Sequence, residues 1–437
     1  MIKQGMVQMK TIIKNATLLS ETGYGEGKWN VLIENKRIAS ITKEMPDITD
    51  VEVVDAKGNL LMPGFYNAHT HAAMTLFRGY GEDLPLQRWL DERILPAEDR
   101  LNYENVTVAT RLAIAEMLKG GTVSFSDMYM FQDAVAEVVL ETGMKANLSR
   151  ALVSFSPDAN IATDNRFAEA KALVEKYQNA GDERVKVDFS LHAEYTNLPH
   201  YIAQVSEYTL ANNLRMHLHV SETETEHNKC IARHGKTPMQ LFCELGALNT
   251  PTLAAHCVWV SDEDIAIMAE KGVSAVHNPI SNLKLGSGVM PLNKMLAAGV
   301  NVCLGTDGVA SNNRLDILRE MQTAAILHKG ILLDPTATTA SKMPKLATRN
   351  GALAQGREDC GEIRIGARAD LILIDRTTIH NMPCFDDYAM LCYSAERSDV
   401  LMTMVDGRIL YQNGTYTLID EERLRYDAQK VFDHYFD

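Results

Sequence analysis

The sequence predicts an α/β protein: a TIM-type (β/α)8 barrel joined to a small β-sandwich domain built from both chain ends. Three observations predict this fold. The chain has 437 residues, and at about 150 residues per domain this leaves room for one large barrel and a smaller unit. Strand-like and helix-like segments alternate between about residues 60 and 360. The two ends contain short β-rich runs instead.

The terminal runs indicate strands of one β domain, because they share the same character and flank the α/β middle. Separated by glycine and charged turns, they are 10–19, 29–42, 51–55, 370–375, 400–405 and 408–411. We therefore predict three segments. Residues 1–60 form the N-terminal part of the sandwich, 61–362 form the barrel, and 363–437 form the C-terminal part of the sandwich plus a terminal helix.

Eight apolar, strand-like runs define the barrel. They are 60–69, 122–127, 144–151, 185–192, 214–220, 252–257, 273–278 and 300–306. Helical patterns lie between them, such as 104–119, closed by Gly120-Gly121, and 261–271, which begins with a capping-box-like Ser261 and Asp264. Apolar strands alternating with helices indicate parallel βαβ units, and eight of these units favour a closed barrel over an open sheet.

Composition narrows the functional class. The charge is 43 − 57 = −14, and binding to nucleic acid or to an anionic membrane surface requires a basic face instead. The seven cysteines form no Cys-x-x-Cys pair, so we expect reduced thiols. Charged and polar residues interrupt residues 1–19, which argues against a signal peptide, and no run of eighteen apolar residues occurs. We expect a soluble, cytoplasmic protein with a small-molecule partner.

Polar side chains stand at the C-terminal ends of the predicted strands, where barrel enzymes carry their active sites. They are His69, His71, Asp127, Arg150, His192, His219, His256, His277, Asn278 and Asp307. A single histidine at a strand end would be compatible with a packing role. A ring of them predicts a functional site.

Four of these residues suit a metal ion. His69 and His71 lie in PGFYNAHTH, two residues apart at a strand end, so both rings project to one side. His219 in HLHVSE and Asp307 in LGTDG each end another strand. Three imidazoles and one carboxylate suit one Zn²⁺ or Fe²⁺ with an open position for water.

Two further residues suit proton transfer beside such an ion. Glu222, three residues beyond His219, fits the proton carrier, although SETETEH alone is also compatible with a solvated loop acid. His256 could polarise the attacking water or the leaving group. We expect the ring of His217 to point away from that of His219, in a supporting or packing role, and Cys257 to lie in the barrel wall.

Five motifs in order, PGFYNAHTH, HLHVSE, AAHCVW, HNPISNLKLGSG and LGTDG, resemble the aminohydrolase branch of the amidohydrolase superfamily, which uses one metal ion. The resemblance covers nearly the whole chain, including a β-sandwich of terminal strands. It implies the metal ligands His69, His71, His219 and Asp307. It also implies that Glu222 shuttles protons, that His256 assists the hydrolytic water and that Asp307 orients the nucleophile.

Within this branch the chain is similar to enzymes that deaminate 5′-substituted adenosines. The resemblance implies hydrolysis of 5-methylthioadenosine, S-adenosylhomocysteine, adenosine or 5′-deoxyadenosine to the inosine derivative and ammonia. It implies an aromatic wall at Trp89, a ribose-binding acid at Glu98 and further substrate contacts at Arg150, His192 and Glu222. Zinc is favoured over iron as the ion.

The residues themselves leave alternatives open at the substrate end. In DERILPAEDR, Glu98 is not distinguished from Asp91, Glu92 or Asp99. Asn278 and Asn282 are expected to shape the loop after the seventh strand.

An arginine at a strand end can be buried only when it is paired with an anion. For Arg150 this anion could be a substrate carboxylate, Asp127 or another protein acid. Arg166 could serve a carboxylate too. A free base or an s-triazine is the alternative substrate, and a barrel that only binds metal or ligand is a third hypothesis. Loops such as 72–100 offer surface for a homo-oligomer.

Overall fold

The computed structural model describes residues 10–19 and 24–436. The prediction about a signal peptide therefore falls partly outside the described residues. The chain begins with five strands: β1 (Lys10–Leu18), β2 (Trp29–Glu34), β3 (Arg37–Thr42), β4 (Glu52–Asp55) and β5 (Leu60–Pro63). Nine strands follow in the middle: β6 (Phe65–Thr70), β7 (Thr122–Tyr129), β8 (Lys145–Leu152), β9 (Val185–Val187), β10 (Phe189–Leu191), β11 (Met216–Val220), β12 (Thr252–His256), β13 (Ser274–His277) and β14 (Asn301–Leu304). The last four are β15 (Leu371–Ile374), β16 (Val400–Val405), β17 (Arg408–Gln412) and β18 (Thr415–Tyr416).

Eight of the middle strands form the barrel. Their order is β6-β7-β8-β10-β11-β12-β13-β14, all neighbours are parallel, and β9 pairs only with β8. The N–H groups of Thr306 and Asp307 donate to the carbonyl of His69 at 3.1 and 3.0 Å, which connects the last strand end to the first. The predicted α/β class with a (β/α)8 barrel is confirmed.

Strands from both chain ends together form a second sheet, which we call the terminal sheet. Its order is β18-β17-β16-β15-β5-β1-β2-β3, with β4 beside β1. The junction is the antiparallel pair of β5 with β15, in which Leu61 faces Leu373. Side chains such as Ile13, Val31 and Leu371 are fully buried beneath this sheet.

The predicted strand 60–69 is in fact two strands in different sheets. β5 belongs to the terminal sheet, whereas β6 begins the barrel. Gly64 separates them, and its N–H donates to the carbonyl of Asp370 at 2.9 Å. A Cβ atom at Gly64 would overlap the side chain of Val123. Because the chain crosses from one sheet to the other within one residue, the terminal sheet directly fixes the strand that carries His69.

Two other predicted runs are also divided. Run 29–42 turns at Asn35, which has a left-handed φ of 57°, and becomes the hairpin β2–β3. Run 185–192 is interrupted at Asp188 between β9 and β10. In both cases the apolar pattern continues across a turn, so hydrophobicity alone does not reveal the break.

Helices fill the connections. They are α1 (Leu86–Trp89), α2 (Leu95–Glu98), α3 (Tyr103–Lys119), α4 (Gln132–Thr142), α5 (Asn165–Tyr177), α6 (Ala180–Glu183), α7 (Pro199–Ala211), α8 (Glu224–His234), α9 (Pro238–Glu244), α10 (Asp262–Lys271), α11 (Pro279–Lys284), α12 (Leu292–Ala297), α13 (Val309–Asn312), α14 (Ile317–Leu332), α15 (Met343–Ala347), α16 (Arg349–Ala354), α17 (Asp387–Tyr393) and α18 (Glu421–Phe436). A π-helical turn, Leu90–Ile94, joins α1 to α2. Short 3₁₀ helices are Ala72–Phe77, Glu194–Thr196, Ala247–Asn249, Ala340–Lys342, Ile379–Asn381 and Arg397–Asp399.

Two helices test the sequence patterns directly. α3 extends to Lys119 before Gly120, and α10 begins after Ser261, whose side chain accepts the N–H of Asp264. Both predicted helices are confirmed, because their caps are local signals. None of the helices in the described part of the chain is long and apolar enough to cross a membrane.

Candidate metal and active site

Strand ends bring the predicted ligands together at the mouth of the barrel. The ligand atoms of His69, His71 and His219 lie within 4.8 Å of one another, and so do those of His69, His256 and Asp307. The four residues predicted to bind metal thus share one centre, although they come from β6, the segment after it, β11 and the segment after β14.

Each of the three histidines is oriented through its Nδ1 atom. Nδ1 of His71 lies 2.6 Å from the carbonyl oxygen of Met128, and Nδ1 of His219 lies 2.6 Å from that of His192. Since a carbonyl only accepts, both Nδ1 atoms carry the hydrogen, which leaves the Nε2 lone pairs free to face a metal.

His217 provides the corresponding support for His69. Nε2 of His217 lies 2.9 Å from Nδ1 of His69. The expectation that the ring of His217 points away from that of His219 is wrong, because residues two apart on a strand project to the same side. His217 precedes His219 by two residues on β11, and its ring contacts that of His69.

The two oxygens of Asp307 have separate environments. Oδ1 lies 3.5 Å from Nε2 of His69 and 3.3 Å from Nε2 of His71. Oδ2 accepts hydrogen bonds from the hydroxyl groups of Ser281 at 2.6 Å and Ser311 at 2.9 Å. Asp307 also has a left-handed φ of 61°, and this strained backbone turns the carboxylate towards the histidines.

Charge and burial at this centre fit a cation. Nε2 of His69 is buried and has no hydrogen-bond partner among the described residues. Burial lowers the pKa of His69 to about 3, so its imidazole is neutral. The pKa of His71 is raised to about 9, because hydrogen bonding and attraction to Asp307 outweigh burial, so this position attracts a positive charge, either a proton or a metal ion that replaces it. Three inward nitrogens and one carboxylate oxygen match the donor set for a divalent metal ion.

Glu222 and His256 lie side by side next to this centre. Oε2 of Glu222 is 3.9 Å from Nε2 of His256, and Oε1 accepts a hydrogen bond from the hydroxyl of Ser287 at 3.1 Å. Nδ1 of His256 lies 2.8 Å from Oδ1 of Asn282. That oxygen accepts, so Nδ1 is the donor and Nε2 faces Glu222.

The pKa of His256 is raised. Burial lowers it, but the negative charges of Glu222 and Asp307 outweigh burial. These charges shift the equilibrium of His256 towards the protonated form, in which Nε2 donates a hydrogen bond.

The structure distinguishes Glu98 from the acidic residues near it in the sequence. It is buried, whereas Asp91, Glu92 and Asp99 are exposed. Oε1 of Glu98 accepts a hydrogen bond from the hydroxyl of Tyr129 at 2.6 Å, and the Tyr129 ring lies 5.8 Å from that of His71. Burial raises the pKa of Glu98. An acid next to the histidine centre can accept hydrogen bonds from a ligand.

The other proposed substrate contacts differ in position. The ring of His192 lies 4.9 Å from that of His219, and burial lowers its pKa to about 4. Trp89 ends α1 and is buried among apolar side chains, next to Gly81.

Arg150 is not brought to the centre. Its Nε donates to Oε2 of Glu169 on α5 at 2.6 Å, so its anion is a protein acid. The alternative partner, Asp127, instead accepts from Ala72 N–H and the Gln132 side chain. Arg166 is exposed at the start of α5.

His277 also stands outside the site. Its Nε2 lies 3.1 Å from Nε2 of His328 on α14, so it faces the helices. Cys257 lies in the apolar core, as predicted. Sequence reasoning missed the anchoring roles of Ser281, Asn282 and Ser311. For Ser281 and Asn282 the signal available was the polar run in HNPISN, which the sequence linked only to loop shape; Ser311 lies outside that run.

Comparison with known proteins agrees with this fold and site. The model of the Amidohydrolase family matches residues 60–410. The chain therefore belongs to the amidohydrolase family, as its motifs predicted.

The chain is similar to three known proteins over nearly its whole length. The chain is 44% identical to 5′-deoxyadenosine deaminase of Methanosarcina mazei, over 96% of this chain and 97% of the relative. It is 42% identical to 5-methylthioadenosine/S-adenosylhomocysteine deaminase of Dictyoglomus thermophilum, over 92% and 96%. A crystal structure of an adenosine deaminase from Xanthomonas campestris with bound zinc matches with a TM-score of 0.91 at 33% identity, covering 98% of this chain and 99% of that one.

Proposed function

We propose that this chain is a metal-dependent aminohydrolase that converts 5′-substituted adenosines to the inosine derivatives and ammonia. The observation that carries the proposal is the shared centre of His69, His71, His219 and Asp307, with Glu222 and His256 beside it. The relatives support the substrate class, since those reported above are named as deaminases of adenosine or its 5′ derivatives.

We propose one divalent ion per subunit, and zinc as that ion, because the related adenosine deaminase is described with bound zinc and the donor set suits it. When bound, such an ion supplies Lewis acidity that lowers the pKa of water towards about 7. The Nε2 atoms of His69, His71 and His219 and Oδ1 of Asp307 would hold it. The Nδ1 contacts of the histidines keep their lone pairs aimed inwards.

Glu222 is the proposed proton carrier. In the overall reaction, water adds to the ring carbon that bears the amino group, the C–N bond breaks, and ammonia leaves. The two protons of the water end on the ring nitrogen and the departing amine. The carboxylate of Glu222, held by Ser287 and next to His256, can accept a proton from the water and pass it to these nitrogens.

His256 and Asp307 are proposed to orient the water. Nε2 of His256 faces the same space as Oε2 of Glu222 because Nδ1 is engaged by Asn282. Asp307 offers Oδ1 to the centre, while Ser281 and Ser311 hold Oδ2. These fixed contacts allow hydrogen bonding to the water without a rearrangement during the reaction.

Four residues are proposed to bind the nucleoside: Trp89, Glu98, Arg150 and His192. Support is strongest for Glu98 and His192, which lie next to ligand histidines. Arg150 would have to exchange Glu169 for a substrate carboxylate. The seven unpaired cysteines support a cytoplasmic location.

A substrate panel tests the proposal. Purified holoenzyme is mixed with 5′-deoxyadenosine, 5-methylthioadenosine, S-adenosylhomocysteine, adenosine, adenine, guanine, cytosine and an s-triazine, and the ultraviolet change and released product are followed. We expect turnover of the adenosines, and loss of that turnover in the Glu222→Gln variant. The control is Glu224→Gln, an exposed acid two residues away. Full activity of Glu222→Gln, or turnover of free bases alone, would overturn the proposal.

A Glu98→Gln variant separates nucleosides from free bases. If Glu98 accepts hydrogen bonds from the ribose hydroxyls, kcat/KM for adenosines should fall about 10- to 100-fold, because hydrogen bonds to a charged group contribute about 1.5–3 kcal/mol. Glu92→Gln is the control, since Glu92 is exposed and paired with Arg88. Unchanged kcat/KM in Glu98→Gln would remove the ribose contact from the proposal.

A further inference from the structure

A buried acid supports the turn that carries Glu222. Glu226 lies on the first turn of α8 and is only 7% exposed. Its Oε1 accepts the N–H of Ser221 at 3.0 Å, and its Oε2 accepts the N–H of Glu222 at 2.7 Å. Both carboxylate oxygens are therefore used on two consecutive backbone groups.

This turn has a strained conformation. Ser221 has a left-handed φ of 48°, which is unfavourable for a residue with a side chain. On the opposite side, the carbonyl of Ser221 accepts the N–H groups of Val258 and Trp259 at 3.1 and 3.0 Å. The segment after β12 holds the turn through its oxygen, and Glu226 holds it through its N–H groups.

The turn decides where the Glu222 carboxylate lies. Glu222 is only three residues from the ligand His219, and the backbone between them bends at Ser221. Among the described residues, the Glu222 side chain has one hydrogen bond, from the hydroxyl of Ser287 to Oε1 at 3.1 Å, and its Oε2 lies 3.9 Å from Nε2 of His256. A shift of the turn would therefore move Oε2 away from the centre.

A purely structural reason for this acid is weak. Burying a carboxylate is unfavourable unless its oxygens are bonded, and the ordinary helix start is already made by Thr223, which accepts the N–H of Glu226. Glu224, in the same first turn, is exposed. The geometry distinguishes Glu226 from its acidic neighbours by what its oxygens bind.

We propose that Glu226 is a positioning residue for catalysis: its two bonds to Ser221 and Glu222 hold the Glu222 carboxylate in place for proton transfer. The inference rests on the proposed function, because it assigns Glu222 as the proton carrier. Glutamine at position 226 keeps the shape but offers one acceptor oxygen, and its amide group would face an N–H.

The test compares wild type, Glu226→Gln and the matched control Glu224→Gln as metal-loaded enzymes. The substrate is whichever compound of the panel the wild type turns over. A wrong adenosine assignment would therefore appear in the panel, and it would not affect the ratio of variant kcat to wild-type kcat. We measure kcat, KM, metal content, thermal unfolding and the solvent deuterium isotope effect on kcat. We expect kcat of Glu226→Gln to fall about 100-fold, as for a small misplacement of a reacting group, with KM and metal content retained.

The isotope effect distinguishes positioning from folding. A displaced proton carrier makes proton transfer more rate-limiting, so the isotope effect should rise in Glu226→Gln and stay at the wild-type value in Glu224→Gln. A loss of kcat in proportion to folded or metal-loaded protein, with an unchanged isotope effect, would show a structural role and overturn the proposal. Wild-type kcat would also overturn it.

A second variant keeps the test decisive if Glu226→Gln does not fold. Adding Ser221→Gly removes the cost of the left-handed backbone, so the double variant should fold while the turn still lacks one of its two bonds to residue 226. We expect its kcat to remain low and its isotope effect to remain raised. Recovery of wild-type kcat, or failure of both variants to fold, would assign Glu226 to folding and overturn the proposal.

Discussion

At the scale of single residues, the chemistry of each histidine depends on what its second nitrogen contacts. His69 and His277 both end barrel strands, yet His69 faces the centre through Nε2 because its Nδ1 meets His217, whereas His277 meets His328 in the helical layer. The same side chain is thus a candidate metal ligand in one case and a packing element in the other. The partner, rather than the position at a strand end, makes this difference.

Replacing His217 tests the importance of this contact. In His217→Phe, Nδ1–H of His69 loses its acceptor in a buried site, so the ring is no longer held with Nε2 facing the ion. We expect metal affinity to fall about 10- to 100-fold, as is typical when a residue that orients a ligand is removed. Competition with a calibrated chelator measures this affinity.

His277→Phe is the matched control, since His277 is equally buried but faces α14. It should lower the denaturation midpoint and leave metal affinity unchanged. Equal metal affinity in His217→Phe and wild type would show that His69 needs no such partner.

At the scale of elements, the passage from β5 to β6 links the two sheets. Gly64 is the one residue between them, and its missing side chain lets the backbone pass over Val123 on β7. Because β6 carries His69, the packing at Gly64 transmits the position of the terminal sheet to the metal centre. A linker of several residues would not do this.

Gly64→Ala should therefore destabilise the protein. The added Cβ overlaps Val123, and overpacking of this kind costs about 1–3 kcal/mol. We expect a lower urea midpoint, and a partial recovery in Gly64→Ala with Val123→Ala, since the two positions are coupled. Gly330→Ala is the control: Gly330 lies exposed in α14 with open space around it, so its midpoint should rise. Equal midpoints for Gly64→Ala and wild type would contradict this account of the junction.

The sequence predicted most of what depends on strand topology. The eight strands, and the proximity of the candidate ligands His69, His71, His219 and Asp307, followed from apolar runs with polar ends, because the carboxyl ends of barrel strands meet in one place. It did not predict the division at Gly64, since both strands are apolar and the break depends on which sheet each one joins.

The sequence also did not predict the contacts that helices make with distant residues. Asn282 and Ser281 sit on α11, but their partners His256 and Asp307 lie more than twenty residues away along the chain. The pairing of Arg150 with Glu169 depends on how α5 packs on the barrel. Such long-range pairings leave no periodic pattern, and a resemblance alone assigned Arg150 to the substrate.

At the scale of the whole molecule, a buried ion cluster joins the barrel to the terminal sheet. Nζ of Lys145, at the start of β8, lies 2.6 Å from Oδ2 of Asp370 and 2.7 Å from Oδ1 of Asp406. Tyr66 on β6 donates to the same Asp370 at 2.9 Å. We propose that residues 61–362 form one domain and that 1–60 and 363–437 together form the other; this cluster would then lie at their boundary.

Lys145→Met tests whether this cluster holds the two parts together. Lys145 is 1% exposed; burial lowers its pKa, but attraction to Asp370 outweighs it and leaves the pKa raised, so the amine is charged. Asp406 keeps Arg368 at 3.2 Å, but removing Lys145 leaves the buried carboxylate of Asp370 without its cation, which should cost about 3–5 kcal/mol in unfolding free energy. Lys294→Met is the control, because its pair with Asp262 is exposed and such pairs contribute about 0–1 kcal/mol.

Removing both charges of the Lys145–Asp370 pair separates the ion pair from the packing around it. The double variant Lys145→Met, Asp370→Asn should be more stable than Lys145→Met alone, because an uncompensated buried charge costs more than the loss of the whole buried pair. Urea denaturation followed by tyrosine and tryptophan fluorescence gives the order of the variants. If Lys145→Met and Lys294→Met lost equal stability, the boundary would be held by apolar packing such as that of the core shared by Phe65 and Ile372, and the ion cluster would have no part in fixing the barrel to the terminal sheet.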